Sequence, residues 1–93
     1  MTVQLGDRPM LDPQVALRPE RFGALAYHFG NRRLSFLKHP DLVTVVRSLD
    51  GRTTVDEAFD TAGVEERRRP AFLRALATLT DSGILTVEGD RAA

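Results

Sequence analysis

The feature that most constrains the fold is a change in the spacing of apolar residues at Pro40. Before this proline, apolar residues alternate with polar ones, which is the period of half-buried strands. After it, apolar residues recur every three or four positions, which is the spacing of amphipathic helices. The sequence therefore predicts an α+β domain in which a sheet comes first and helices follow.

Three short strands are predicted before Pro40 from positions that share the two-residue period. These positions are Val15, Leu17, Leu25, Tyr27, Phe29, Leu34 and Phe36. Pro19 to Gly23 separates the first strand from the second. Gly30-Asn31 separates the second from the third, and both residue types tolerate positive φ in a tight hairpin turn. We therefore expect the second and third strands to pair antiparallel.

Three short helices are predicted after the sheet. The first begins at Pro40, since proline suits a first helical turn, and ends at Asp50-Gly51. The second begins with a capping box formed by Thr54 and Glu57 and ends at Gly63. We expect it to bury Phe59 among its apolar stripe.

The third helix is expected to begin between Glu65 and Pro70 and to end at Gly83, followed by a short strand or extended segment at 84–87. A sheet followed by three helices, with a glycine turn between the last two, favours a winged helix-turn-helix-like arrangement. The predicted domain spans 14–88. Segment 1–13 lacks either period and is expected to be a flexible arm, and 89–93 a C-terminal tail.

Composition excludes several classes of protein. The chain has 93 residues, 13 Lys plus Arg, 13 Asp plus Glu and no Cys. Balanced charge gives no overall basic field for nucleic acid or anionic membranes. Without cysteine there is no disulfide, thiolate metal site or iron–sulfur cluster. No secretion signal or membrane-spanning run of about 20 apolar residues is recognisable, so a cytoplasmic location is expected.

No arrangement typical of catalysis or cofactor binding is recognisable. His28 and His39 are the only histidines, and their separation matches no compact metal-ligand spacing. No Gly-x-Ser-x-Gly nucleophile motif or glycine-rich phosphate loop occurs. The sequence therefore predicts no catalytic residue, no metal and no cofactor, and makes a small enzyme the weaker alternative.

The charged run Arg67-Arg68-Arg69 keeps a second alternative open. It lies near the start of the third helix, where a DNA-reading helix presents its base-contacting residues. It is equally compatible with a solvated run neutralised by Glu65 and Glu66. A winged helix-turn-helix DNA-binding regulator thus remains the alternative function, although zero net charge and a sheet placed first weigh against it.

Three segments carry a resemblance to a known family. They read Leu-Arg-Pro-Glu-Arg-Phe-Gly at 17–23, Tyr-His-Phe-Gly-Asn-Arg at 27–32 and Ala-Phe-Leu-Arg-Ala-Leu at 71–76. From about Leu11 to Val87 the chain is similar to the peptide chaperone of mycofactocin biosynthesis. This family is one of the recognition elements of ribosomally made, modified peptides. The resemblance implies three strands followed by three helices, in agreement with the apolar periods.

The resemblance also implies a function. In that family a precursor's leader segment adds as a strand at the sheet edge, between the third strand and third helix, and the chaperone passes the peptide to a radical S-adenosylmethionine enzyme. Mapped onto this chain, the implied groove is Arg33 to Lys38 facing Phe72 to Leu79. With a polar rim expected from arginines of the third helix, the predicted peptide-binding residues are Arg33, Leu34, Ser35, Phe36, Leu37, Lys38, Arg69, Phe72, Leu73, Arg74 and Leu76.

The strand period assigns facing directions to these residues. We expect Leu34 and Phe36 to point inward and Arg33, Ser35 and Leu37 to point to the opposite face. On the helix, apolar side chains should form pocket walls and arginines a polar rim. Replacing Ser35 by proline is expected to remove a hydrogen-bond donor from the edge and weaken leader binding. Most of the six aromatic residues are expected in the core.

Overall fold

A computed structural model describes residues 3–87 of the chain. Its strands are β1 (Pro9–Leu11), β2 (Val15–Glu20), β3 (Gly23–His28), β4 (Leu34–Leu37) and β5 (Leu85–Val87). Its helices are α1 (Pro40–Ser48), α2 (Val55–Ala62) and α3 (Arg69–Asp81), the last preceded by a 3-10 turn at Glu66–Arg68. An α+β fold with a three-stranded antiparallel sheet followed by three helices is confirmed. The winged helix-turn-helix likeness stays a prediction.

A second, two-stranded sheet pairs β1 with β5 antiparallel. The sequence predicted a flexible arm over 1–13 and assigned no strand to it, so β1 is an element that the prediction missed. The N-terminal backbone also supports α2, since Val55 and Asp56 donate their N–H groups to the carbonyls of Asp7 and Leu5. These are first-turn donors that a helix leaves unpaired. The predicted tail at 89–93 lies outside the described residues.

The main sheet has strand order β2-β3-β4, and α1 packs against β3 and β4. The face under the helix carries Ala24, Ala26 and Leu37, all fully buried. Small alanine side chains let the helix approach the sheet closely, and this close packing decides which face is inside. Leu34 and Phe36 lie on the other face and are exposed, so their predicted inward orientation is wrong.

The helices bury the rest of the core. Phe59 of α2 is fully buried, and its ring meets that of Phe72 edge to face with centroids 6.1 Å apart. The other aromatic side chains do not join them: Phe22, Phe29 and Phe36 are exposed. The expectation that most aromatic residues lie in the core is therefore wrong. No helix within residues 3–87 has the length and apolar character needed to cross a membrane.

The ends of α2 match the sequence prediction. Thr54 accepts a hydrogen bond from the Glu57 N–H at 3.1 Å, and the Glu57 carboxylate accepts one from the Thr54 N–H at 2.9 Å. Gly63 ends the helix in the left-handed conformation with φ of 71°. Both signals act within one turn of the chain, which is why the sequence alone identifies them.

Acid should destabilise the domain by protonating two hydrogen-bonded carboxylates at and before the start of α2. Hydrogen bonds from Thr54 lower the pKa of Glu57, and bonds from the Arg52 and Thr53 N–H groups lower the pKa of Asp50. A carboxyl whose pKa is lower in the folded state stabilises the fold above its unfolded-state pKa and loses that contribution as pH falls through the folded pKa. We expect the urea concentration at the unfolding midpoint to decrease when the pH is lowered below about 4.

Glu57→Gln should flatten this decline because it removes the titrating group. Glu66→Gln is the matched control, since no hydrogen bond between described residues involves the Glu66 carboxylate. Urea unfolding of all three proteins at a series of pH values measures the effect. If the urea midpoints of wild type and Glu57→Gln decrease equally as the pH falls, the capping box does not cause the acid sensitivity.

Candidate peptide-binding groove

The free edge of β4 exposes backbone groups at two alternating residues. The His28 N–H donates to the Arg33 carbonyl at 3.0 Å, which marks this position of the ladder as hydrogen-bonded, although the Arg33 N–H bonds the Asn31 side chain instead. Bonded pairs alternate with non-bonded pairs along an antiparallel ladder. Ser35, opposite Ala26, therefore directs its N–H and C=O toward β3. The corresponding groups of Leu34 and Phe36 face the open edge.

This register corrects the expectation for Ser35. Its N–H belongs to the ladder within the sheet, so Ser35→Pro removes a bond to Ala26 and weakens the domain itself. The donors available to an added strand are the N–H groups of Leu34 and Phe36. A proline that tests strand addition therefore belongs at one of these two positions.

The opposite edge of the sheet, along β2, is less suited to strand addition. Phe29 donates to the Gln14 carbonyl at 2.8 Å, so the same alternation directs the backbone of Val15, Leu17 and Pro19 outward. Pro19 has no N–H, and the Val15 N–H is already bonded to the Asp12 carbonyl. Proline on an edge strand is a common means of preventing further pairing.

Beside the open edge lies a groove of about 400 Å³ between β4 and α3. Its lining residues are Leu34, Ser35, Phe36, Leu37, Lys38, Leu42, Ala75, Thr78, Leu79 and Ser82. The helix wall is low because Ala75, Thr78 and Ser82 are small, and their spacing of three and four places them on one face. A small-residue wall next to an unpaired strand leaves space for an extended peptide.

Five of the six strand residues predicted for the site line this groove. These are Leu34, Ser35, Phe36, Leu37 and Lys38. Arg33 is exposed immediately before β4 and does not line it. Leu34 and Phe36 are 55% and 58% exposed, whereas Leu37 is fully buried, so Leu37 forms the floor.

The helix residues predicted for the site do not line the groove. Phe72 and Leu76 are buried in the core, and Leu73 lines a different cavity, together with Leu5 and Pro70. Arg74 is exposed on α3 outside the groove lining. The prediction followed the buried stripe of the helix, whereas a groove forms at the margin of that stripe, about one residue further round the helix.

Arg69 holds α3 against α2 and is not a free rim residue. Its guanidinium bonds Asp56 at 2.7 Å, Asp60 at 2.8 Å and the Val64 carbonyl at 3.1 Å. The hydrogen bond to Asp60 is the main cause that raises the pKa of Arg69. The guanidinium also lies over the Phe59 ring, with 5.6 Å to its centroid. These contacts explain Arg69 by packing and charge within the domain.

The arginine run is neutralised in the same way. Arg67 pairs with Glu65 at 3.3 Å, and Arg68 pairs with Asp41 at 3.0 Å and lies over the Phe72 ring. Each of the three arginines therefore has a carboxylate partner within the chain. This weakens the DNA-binding alternative, because phosphate contacts would have to replace existing ion pairs.

Both histidines have structural roles. His28 is buried, and its Nδ1 accepts hydrogen bonds from the N–H groups of Gly30 and Asn31, so its ring stabilises the β3–β4 turn. The positive φ of this turn occurs at Arg32, not at Gly30-Asn31 as the sequence suggested. His39 caps α1 and contacts Arg68. Within residues 3–87, no group of three potential metal ligands lies together.

Gly23 allows β3 to approach the end of β4. Its φ is 146°, and a Cβ at this position would collide with the carbonyl oxygen of Leu37. We expect Gly23→Ala to destabilise the domain by about 2 kcal/mol or more, since the clash adds to a backbone conformation that costs about 1–3 kcal/mol for other residues. Urea unfolding measures the effect.

Gly6→Ala is the matched control, because nothing lies within 4 Å of a Cβ built at Gly6. It should change stability by no more than about 0.5 kcal/mol. Equal stabilities for the two variants would show that the approach of Gly23 to Leu37 does not constrain the sheet.

Comparison with known proteins identifies the family of this chain. The model of the peptide chaperone MftB family matches residues 9–86. The chain belongs to this family. The MftB peptide chaperone of Mycobacterium ulcerans is 49% identical over 75 residues, covering 81% of this chain and 69% of the relative. That of Mycolicibacterium smegmatis is 42% identical over 93 residues, covering 91% of each chain.

A third MftB peptide chaperone, from Mycobacterium tuberculosis, is 47% identical over 75 residues and covers 81% of this chain and 69% of its own. These matches confirm the resemblance inferred from the sequence. No solved structure matches the chain significantly. The MftB family match extends from β1 into β5, so it includes the residues of β4 and of the groove beside it.

Proposed function

We propose that this protein is a non-catalytic peptide chaperone of mycofactocin biosynthesis in the cytoplasm. It binds the leader segment of a ribosomally made precursor peptide and presents the peptide to a radical S-adenosylmethionine enzyme. The observation that carries this proposal is the open edge of β4 beside an apolar groove, in a chain of the MftB peptide chaperone family.

Strand addition explains how so small a domain binds a peptide. The N–H and C=O groups of Leu34 and Phe36 provide a ladder for an extended segment. Alternate side chains of that segment point to opposite faces, as in any strand. One set therefore meets the groove, with Leu37 and Leu79 as apolar contacts. The ladder contributes affinity, and the shape of the groove selects the sequence.

The composition of this chain fits a pathway in which a second protein carries out the chemical step. Radical S-adenosylmethionine chemistry needs an iron–sulfur cluster, and cysteine thiolates hold such clusters. This chain has no cysteine. The chemical step therefore belongs to the partner enzyme, and the chaperone contributes by holding the peptide in one extended conformation, which lowers the entropy that the enzyme must remove.

A titration of the precursor peptide by isothermal calorimetry tests the proposal. Thr78→Trp places a bulky ring in the groove, and we expect it to weaken peptide binding about tenfold or more. Thr61→Trp is the matched control, because Thr61 is an exposed helical threonine outside the groove. It should bind like the wild type. No binding by the wild type, or equal binding by both variants, would contradict the groove assignment.

A further inference from the structure

The outer face of the main sheet is unusually apolar for a surface that no described element covers. Leu25 and Tyr27 of β3 lie opposite Phe36 and Leu34 of β4, all pointing away from the helices. One side of an antiparallel sheet commonly faces water, but that side usually carries polar residues. Here the half of the face formed by β3 and β4 is hydrophobic.

Two turns extend this apolar surface with exposed aromatic rings. Phe22 packs edge to face on Phe36, with 5.7 Å between ring centroids. Phe29, 61% exposed, packs in the same way on Tyr27 at 5.0 Å. We name the surface formed by Phe22, Leu25, Tyr27, Phe29, Leu34 and Phe36 the outer sheet patch. A large exposed apolar patch on a small domain marks an interaction site.

Charge shows what kind of partner this patch fits. Segment 15–38 contains five Lys or Arg residues and only one acidic residue, a net charge of +4. Because the whole chain has 13 of each sign, the remaining residues carry a net −4. The neutral total therefore conceals a basic segment at the sheet and an acidic remainder of the chain. An apolar centre with a basic surround complements a surface with apolar side chains surrounded by carboxylates.

The cations around the patch are available for such a partner. Among the described residues, no ion pair involves Arg21 or Lys38, and Lys38 borders a cavity with Phe22 and Phe36. Arg18 pairs with Glu20 at 3.2 Å, but its side chain is 76% exposed. This contrasts with the arginine run near α3, in which every member has a carboxylate partner.

We propose that the outer sheet patch docks a second protein through an acidic, apolar-centred surface while the groove holds the peptide. This inference rests on the proposed function, since a chaperone that presents a peptide needs a surface for the protein that receives it. The patch and the groove share Leu34 and Phe36 of β4, whereas the other four patch residues do not line the groove. A partner centred on β3 and the two turns therefore leaves the helix side of the groove open to the peptide. A second copy of this chain fits poorly, because two basic surrounds would repel each other.

Nucleic acid also fits the patch less well than a protein. Bases bind by stacking on free ring faces, but these rings pack edge to face in pairs, and two of the six patch residues are leucines. Aromatic residues with arginines near them are instead typical of the energetic centres of protein interfaces, where binding removes the rings from water.

The test uses the radical S-adenosylmethionine enzyme as the probe and measures its binding and the peptide's binding in parallel. Tyr27→Ser/Phe29→Ser removes patch contacts that do not line the groove. We expect it to weaken enzyme binding about tenfold or more and to change peptide affinity less than about twofold. Leu5→Ser is the matched control, since Leu5 is 40% exposed at another surface, and it should leave both affinities unchanged.

A charge-reversal variant distinguishes electrostatic steering of the enzyme from direct contact with the patch. Arg21→Glu should slow enzyme association and reduce its dependence on salt, whereas Arg47→Glu, an exposed arginine on α1, should not. Circular dichroism establishes first that each variant is folded. Wild-type enzyme binding by both Tyr27→Ser/Phe29→Ser and Arg21→Glu would overturn the proposal. Competition for the patch by single-stranded RNA would also overturn it. So would a dimer of this chain that these variants abolish. Wild type that binds peptide but not enzyme overturns it too, whereas failure to bind peptide refutes the proposed function.

Discussion

Phe59→Ala should destabilise the domain by about 3–5 kcal/mol, the usual cost of removing a fully buried phenylalanine. Phe59 is fully buried, meets the Phe72 ring edge to face and lies under the Arg69 guanidinium. A domain of this size is stable by about 5–15 kcal/mol. The substitution therefore removes a large fraction of the stability, and urea unfolding monitored by circular dichroism should show an early or absent transition.

Phe29→Ala is the matched control for this substitution, because it removes the same side chain from an exposed site. It should cost about 1 kcal/mol or less, since only an edge-to-face contact with Tyr27 is lost. If Phe59→Ala unfolds at the wild-type urea concentration and loses peptide binding, Phe59 is a binding residue and its structural assignment is wrong.

The helices and their ends could be predicted because their signals are local. The hydroxyl of Thr54 and the carboxylate of Glu57 lie one turn apart, and Gly63 directly follows the helix that it ends. Strand β1 could not be found in this way. Its three residues show no period, and they pair with Leu85–Val87 at the far end of the chain. Pairing over such a separation depends on the completed fold.

The strand period predicted alternation correctly but not which face is buried. A two-residue period is compatible with either face, and the larger side chains at Leu34 and Phe36 suggested the wrong one. The closeness of α1 selects the face with Ala24 and Ala26 instead. The same ambiguity explains the helix wall of the site, since residues at the edge of a buried stripe have no distinct spacing of their own.

Phe36→Pro should weaken leader binding about tenfold or more through the backbone alone. The Phe36 N–H faces the open edge, so proline removes a donor that strand addition would use and leaves the bonds between β3 and β4 intact. A hydrogen bond contributes about 0.5–1.5 kcal/mol, and the proline ring also obstructs the approach of an added strand. Calorimetric titration of the precursor peptide measures the loss.

Phe36→Ala provides the comparison that isolates the backbone, because it removes the ring but retains the N–H. Leader affinity should decrease in the order wild type, Phe36→Ala, Phe36→Pro, with the larger step at the second substitution. Since Phe36 is exposed, both variants should remain folded, which circular dichroism can establish. Equal affinities for folded Phe36→Pro and Phe36→Ala would mean that the peptide does not bond the edge of β4. The groove would then have to bind it through side chains, and strand addition would be the wrong mechanism for this chaperone.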